Sequence, residues 1–240
     1  MITIDHKTVA EVVSENIKTA HVFKKYGIDF CCGGGITIDK ACKKKNLDYS
    51  QLKEELLKVD DAPKAYNYNS WKLDFLIDHI LNIHHTYVLE SIPLILQYSN
   101  RVAEVHGHHY KEVLKINTLF NEAANELASH MQKEETILFP YIKSLLQLDP
   151  NSKRLNAPSF GTINNPITMM EMEHEAVGDI FKEIARLSNN YTPPEDACNT
   201  FRALYAKLDE FEQDLHQHIH LENNILHPKA KLLEHTLMNN

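Results

Sequence analysis

The sequence HIHLENNILHP, from His218 to Pro228, has the pattern of a metal-binding helix. His218 and Glu222 are four residues apart, so in a helix their side chains lie on one face, about one turn from each other. An imidazole and a carboxylate in these positions can bind the same metal ion. The stretch therefore predicts a helix and metal binding by one of its faces.

The same pattern occurs a second time, in HMQKEETILFP from His130 to Pro140. In each stretch a glutamate follows the histidine after four residues, and Ile-Leu-x-Pro comes next; here the glutamate is Glu134. We interpret the repeat as two helices with the same role, related by an approximate twofold axis. Two such pairs facing each other across a helical bundle predict a site for two metal ions.

The composition indicates a soluble all-α protein. The chain has 240 residues, of which 43% are hydrophobic and 24% charged, and long periodic stretches with only 7 Gly and 9 Pro favour helices. Its net charge of -8 argues against nucleic acid or an anionic membrane as a partner, and its 15 histidines are an excess that requires an explanation. We find no apolar run long enough to span a membrane, no signal peptide and no secreted disulfide framework, which favours the cytoplasm.

Composition also suggests the domain organisation. Residues 1–60 read as a small domain of short helices around a Cys-Cys turn, and residues 61–69 as a polar linker that contains a proline. Residues 70–240 read as an up-down-up-down four-helix bundle. The predicted bundle helices are approximately 70–105, 109–148, 167–188 and 194–234.

A bundle site needs ligands from the two remaining helices. The first bundle helix offers His79, His84 and His85, between which spacing does not decide, and the third offers His174. One histidine from each gives four His and two Glu in total, enough for two metals if the carboxylates bridge and an oxo or hydroxo group completes the pair. These ligands suit iron, manganese or zinc better than magnesium or calcium. The His-x-x-x-Glu order also differs from the Glu-x-x-His signature of ferritin-like bundles.

At these residues the sequence resembles a known family. Residues 70–235, with the paired motifs and MEMEH at residues 170–174, are similar to hemerythrin-like bundles. With DFCCGGG at residues 29–35, nearly the whole chain resembles the repair-of-iron-centres proteins, di-iron proteins linked to the recovery of damaged iron-sulfur clusters. The resemblance implies two non-haem irons bridged by both carboxylates and an oxo or hydroxo group. It implies these iron ligands, with His85 chosen over His84: His85, His130, Glu134, His174, His218 and Glu222.

Cys31 and Cys32 are the second chemical feature. A disulfide between adjacent cysteines closes a strained ring and should be labile, and the three glycines that follow permit a close approach of the backbone to a partner. The alternative is a tight turn with two buried thiols. The resemblance favours a redox or iron-relay role for the pair, whereas we expect Cys42 and Cys198 to be ordinary buried thiols.

Three further residues are candidates for supporting the ligands. Glu126 lies one turn from His130 and Glu173 precedes His174, although a solvated helix face explains both about as well. His79 fits a structural or supporting role better than that of a ligand. His216 and His220 flank His218 but lie 160–200° from it around the helix, by about 100° per residue, so they should face elsewhere.

Three functions compete at this point. The first is repair of clusters damaged by oxidative or nitrosative stress, by iron donation or nitric oxide handling, with damaged iron-sulfur proteins as partners. The second is an oxygen or nitric oxide carrier or sensor, and the third a di-iron nitric oxide or peroxide reductase. The sequence leaves open whether the protein is an enzyme and whether it forms a homodimer. It also does not identify the client proteins or the electron donor.

Overall fold

The computed structural model describes Ile4 and residues 6–59, 66–148 and 158–239. Within this part of the chain the regular structure is helical, and the one β-type pairing is an isolated bridge between Thr8 and Thr37. The predicted all-α fold, with a small helical domain before a four-helix bundle, is confirmed. None of the helices in the described ranges combines the length and the apolar character that a membrane span requires.

By contacts, the chain divides into two compact units. The first comprises the described residues of Met1–Asp78, Leu145–Asn156 and His216–Asn240, and the second those of His79–Ser144 and Ala157–Leu215. Of the predicted linker 61–69, residues 61–65 lie outside the described residues. The remainder leads into a 3-10 turn, Tyr68–Ser70, in which the Tyr68 side chain is buried.

Short helices build the N-terminal part of the first unit. They are α1 (Val9–Glu15), α2 (Ala20–Lys25), α3 (Ile38–Lys45), α4 (Tyr49–Lys58) and α5 (Leu73–His79), with α5 ending at the second unit. Thr8 and Glu11 form a capping box on α1. Asp48 caps α4, because its carboxylate accepts from the backbone N–H groups of Ser50 and Gln51.

Long helices follow. They are α6 (Thr86–His106), α7 (Lys111–Lys133), α8 (Phe139–Leu146), α9 (Asn164–Leu187), α10 (Asn199–Leu221) and α11 (His227–Asn239). In the second unit α6, α7, α9 and α10 pack as the bundle. Phe120, Phe181 and Phe211 come from three of these helices, and their ring centroids lie 5.5–6.4 Å apart. All three rings are fully buried, so aromatic packing holds the helices together.

Among the described residues, three short π-helical segments interrupt the long helices. They are Ile80–His85, Glu134–Leu138 and Glu222–Leu226. The last two precede Pro140 and Pro228, which have no N–H and whose rings clash with the carbonyl four residues earlier. Those carbonyls belong to Thr136 and Asn224, inside the two π segments. The prolines of the repeated motif thus give a physical reason for the wider turn, and such turns are frequent at functional sites.

Candidate metal centre

Glu134 lies between two histidines of the second unit. Its Oε2 atom is 3.4 Å from the Nε2 atom of His130, one turn earlier on α7, and 3.4 Å from the Nε2 atom of His85 at the end of the first π segment. The carboxylate is fully buried and both imidazoles nearly so. Burying a carboxylate is costly unless a compensating positive charge lies close by. This arrangement therefore favours a cation at the carboxylate.

His174, from α9, approaches the same place. Its Nε2 atom is 2.9 Å from the Nε2 atom of His130, and the ligand atoms of His130, Glu134 and His174 all lie within 4.8 Å of one another. Two donor atoms that bind one metal at about 2.1 Å are separated by about 3.0 Å at 90° and about 3.4 Å at the tetrahedral angle. The observed separations of 2.9–3.4 Å match these values, so the donor set fits a transition-metal ion.

Two of the imidazole rings are fixed by carboxylates at Nδ1, the ring nitrogen that is not near Glu134. The Nδ1 atom of His85 is 2.7 Å from Glu135, and that of His130 is 2.9 Å from Glu173. Because a carboxylate only accepts, each Nδ1 donates and each Nε2 is left with a lone pair directed at Glu134. This pairing is the usual support of metal-binding histidines. The sequence predicted Glu173 as a supporting residue and missed Glu135.

The charge of Glu173 is stabilised by its neighbours. Burial raises the pKa of its carboxyl, but hydrogen bonds from Lys133 and His130 outweigh burial, so the pKa lies below its usual value. The carboxylate is therefore charged near neutral pH and strengthens the hydrogen bond from His130.

The second copy of the motif has the same local geometry in the first unit. His218 Nε2 lies 3.0 Å from Glu222 Oε1, and both side chains are buried. Glu222 is the first residue of its π segment, as Glu134 is of its own. The internal repeat of the sequence is thus a repeat of local structure.

The remaining histidine candidates lie on the first bundle helix. His84 is buried, and its Nδ1 atom is 2.9 Å from Asp214, which lies 130 residues further along the chain. His79 is half-buried with its ring against that of His84, and burial lowers its pKa. Glu126, the other predicted supporting residue, is an exposed side chain.

The Cys-Cys turn lies in the first unit. Both thiols are free, Cys31 buried and Cys32 exposed, and the Asp29 carboxylate accepts from both backbone N–H groups. The alternative with two buried thiols is thus wrong for Cys32. Cys42 is buried as predicted, but Cys198 is exposed, because it lies in the turn just before α10 rather than in a core position.

Two family models match the chain. The model of a domain of unknown function (DUF542, ScdA_N) matches residues 5–60. The model of the hemerythrin HHE cation binding domain matches residues 76–230, which include all six predicted ligands. The iron-sulfur cluster repair protein YtfE of Escherichia coli O81 (strain ED1a) is 37% identical over 216 residues, 89% of this chain and 91% of the relative. The protein of that name in Escherichia fergusonii is 36% identical, with the same coverage. The chain therefore belongs to the family of iron-sulfur cluster repair proteins with a hemerythrin HHE cation-binding domain.

Proposed function

We propose that this protein repairs iron-sulfur clusters damaged by oxidative or nitrosative stress, in the cytoplasm, and that damaged iron-sulfur proteins are its partners. The two relatives, iron-sulfur cluster repair proteins by name that match nearly the full length of the chain, support this proposal. The observation in the molecule that carries it is the buried Glu134 carboxylate, on which the Nε2 atoms of two carboxylate-supported histidines converge.

We further propose that two iron ions occupy the bundle, bridged by Glu134, Glu222 and an oxo or hydroxo group. The six predicted ligands would hold the iron: His85, His130, Glu134, His174, His218 and Glu222. Support comes from the equivalent local geometry of the two His-x-x-x-Glu pairs and from the family match that spans them both. When bound, iron in such a site supplies one-electron redox chemistry and an exchangeable store of the metal.

The side chains prepare the site in three ways. The Glu135 and Glu173 carboxylates hold the His85 and His130 rings in one tautomer with Nε2 facing inward. Burial of the ligands excludes water, so the electrostatic attraction between the carboxylates and a cation is weakly screened. Imidazoles are neutral ligands, so the two glutamates are the side chains of this set that offset the charge of the bound cations.

The test supplies the protein with isotopically labelled iron and mixes it with an oxidatively damaged iron-sulfur dehydratase. We expect the activity of the dehydratase to return, and label in the client would identify iron donation. Recovery without label would assign the repair to redox chemistry or nitric oxide removal instead.

Two variants make this experiment specific. Glu134→Ala removes the buried carboxylate and should lower both the iron content and the recovery well below those of the wild-type protein, whereas Glu126→Gln changes an exposed carboxylate and should leave both unchanged. Iron-loaded protein that restores no activity, yet binds nitric oxide or oxygen reversibly, would contradict the repair proposal.

A further inference from the structure

The helix that carries His218 and Glu222 has a second occupied face. His216, His220 and Asn224 alternate with the two predicted ligands, and all three contact the Cys-Cys turn or its neighbour Phe30. The prediction that His216 and His220 face away from His218 is confirmed by these contacts. The run HQHIHLENN therefore alternates predicted metal ligands with side chains that contact the Cys-Cys turn or Phe30. These contacts explain why the run contains histidines that are not predicted ligands.

Hydrogen bonds from His220 and Asn224 attach this helix to the turn. His220 is fully buried, with Nε2 3.1 Å from the Ser14 hydroxyl and Nδ1 3.3 Å from the Phe30 carbonyl oxygen. The Asn224 amide donates to the Cys31 carbonyl at 3.0 Å and lies 3.5 Å from that of Phe30. Backbone carbonyls of the turn are thus bonded by side chains of the metal-ligand helix.

The opposite side of the turn is also fixed. The Gly34 carbonyl accepts from the Ala10 backbone N–H at 2.9 Å, and a Cβ atom on Gly34 would lie only 2.4 Å from the Phe30 carbonyl oxygen. Only glycine fits at this position without a shift of the backbone. The turn is therefore held between α1 and the helix of His218 and Glu222.

This fixation makes the two thiols unequal. Cys31 is 6% exposed, and its thiol lies 3.3 Å from the Asp29 carboxylate. The Cys32 thiol, burial and the Asp29 charge all raise the pKa of Cys31. Cys32 is exposed, with its sulfur 3.8 Å from the Asn223 amide. Access and thiolate formation, which control cysteine reactivity, therefore both disfavour Cys31.

We propose that His220 and Asn224 are positioning residues that present Cys32, and not Cys31, as the thiol that binds the iron of a damaged cluster. The inference rests on the proposed repair function. In this step the Cys32 thiol passes its proton to water and the sulfur donates an electron pair to the iron of the client. No oxidation state changes, and thiolate is the ligand type that iron-sulfur centres prefer.

The positioning is tested by alkylation of the full-length native protein with iodoacetamide, followed by mass spectrometry of each cysteine. We expect rapid labelling of Cys32 and protection of Cys31. Asn224→Asp removes the amide donor at nearly constant shape and should accelerate labelling of Cys31 by about fivefold or more, because a hydrogen bond that closes the turn is lost. Gln213→Glu makes the same chemical change on an exposed position of α10 and should have no effect.

Equal labelling of the two thiols in the wild-type protein, or an Asn224→Asp variant that labels like Gln213→Glu, would overturn the positioning role. His220→Asn provides a second variant, with the same expectation as Asn224→Asp. Iron content is measured alongside, because loss of iron would mean that the helix itself has been disrupted.

The choice of thiol is tested by the dehydratase recovery assay. Cys32→Ser should slow recovery about tenfold, while Cys31→Ser retains most of it, since loss of an inaccessible thiol removes no ligand. Equal recovery by the two variants, with an active wild-type protein, would refute this inference and leave the repair function standing. A wild-type protein that restores nothing would refute the repair function, while the alkylation pattern would still decide whether His220 and Asn224 hold the turn.

Discussion

Replacing Glu173 by glutamine should weaken iron binding without removing a ligand. Glu173 accepts from His130 Nδ1 at 2.9 Å, and glutamine can keep this contact but not the charge. Hydrogen bonds to charged groups contribute about 1.5–3 kcal/mol and neutral ones about 0.5–1.5 kcal/mol, so the change costs about 1–1.5 kcal/mol. Because the Glu173 side chain is 29% exposed, we expect the lower part of the 10- to 100-fold range typical of such supports, about tenfold in affinity.

The assay is anaerobic competition for ferrous iron between the protein and a coloured chelator at neutral pH. Glu126→Gln is the matched control, because it makes the same change on an exposed carboxylate of the helix that carries His130. Unfolding of the iron-free proteins by urea separates loss of affinity from loss of stability, since Glu173→Gln also removes an ion pair with Lys133. Equal affinities for the two variants would refute the supporting role of Glu173.

Three further perturbations should have measurable effects. Gly34→Ala should destabilise the Cys-Cys turn by about 1–3 kcal/mol in urea unfolding, because its methyl group overlaps the Phe30 carbonyl. Gly35→Ala, with open space around its Cβ, should not, and equal effects would contradict the packing argument. Phe211→Ala should cost about 3–5 kcal/mol, measured in the same way, and a loss below about 1 kcal/mol would mean that the aromatic cluster is not the bundle core. Removing iron with a chelator should lower the unfolding temperature, since free iron at about 1,000 times its Kd stabilises the fold by about 4 kcal/mol. An unchanged unfolding temperature would contradict the expectation that iron binds the folded protein and not the unfolded chain.

Sequence periodicity predicted what depends on local spacing. The four-residue interval from His130 to Glu134 requires a helix if both side chains are to act together, and the structure places them on adjacent turns, His130 in α7 and Glu134 at the start of the π segment that follows. Long apolar periodicities predicted the bundle helices, although their ends shifted by a few residues. Helix ends depend on which polar side chain caps them, as Asp48 does for α4.

Contacts between residues distant in sequence were harder to predict. Asp214 meets His84 across 130 residues and Glu135 meets His85 across 50, so no local pattern marks either carboxylate as a support. The burial of Cys31 beside an exposed Cys32 also depends on packing against another helix. The π segments could have been suspected from Pro140 and Pro228, because a proline inside a helix must be accommodated.

The number of irons bound per chain tests the central claim most directly. The protein is loaded with ferrous iron without oxygen, passed through a desalting column, and analysed by mass spectrometry for iron against total protein. The two His-x-x-x-Glu pairs predict two irons per chain, and Glu134→Ala should fall well below two. A single iron in the wild-type protein, or an undiminished content in Glu134→Ala, would contradict a centre bridged by Glu134.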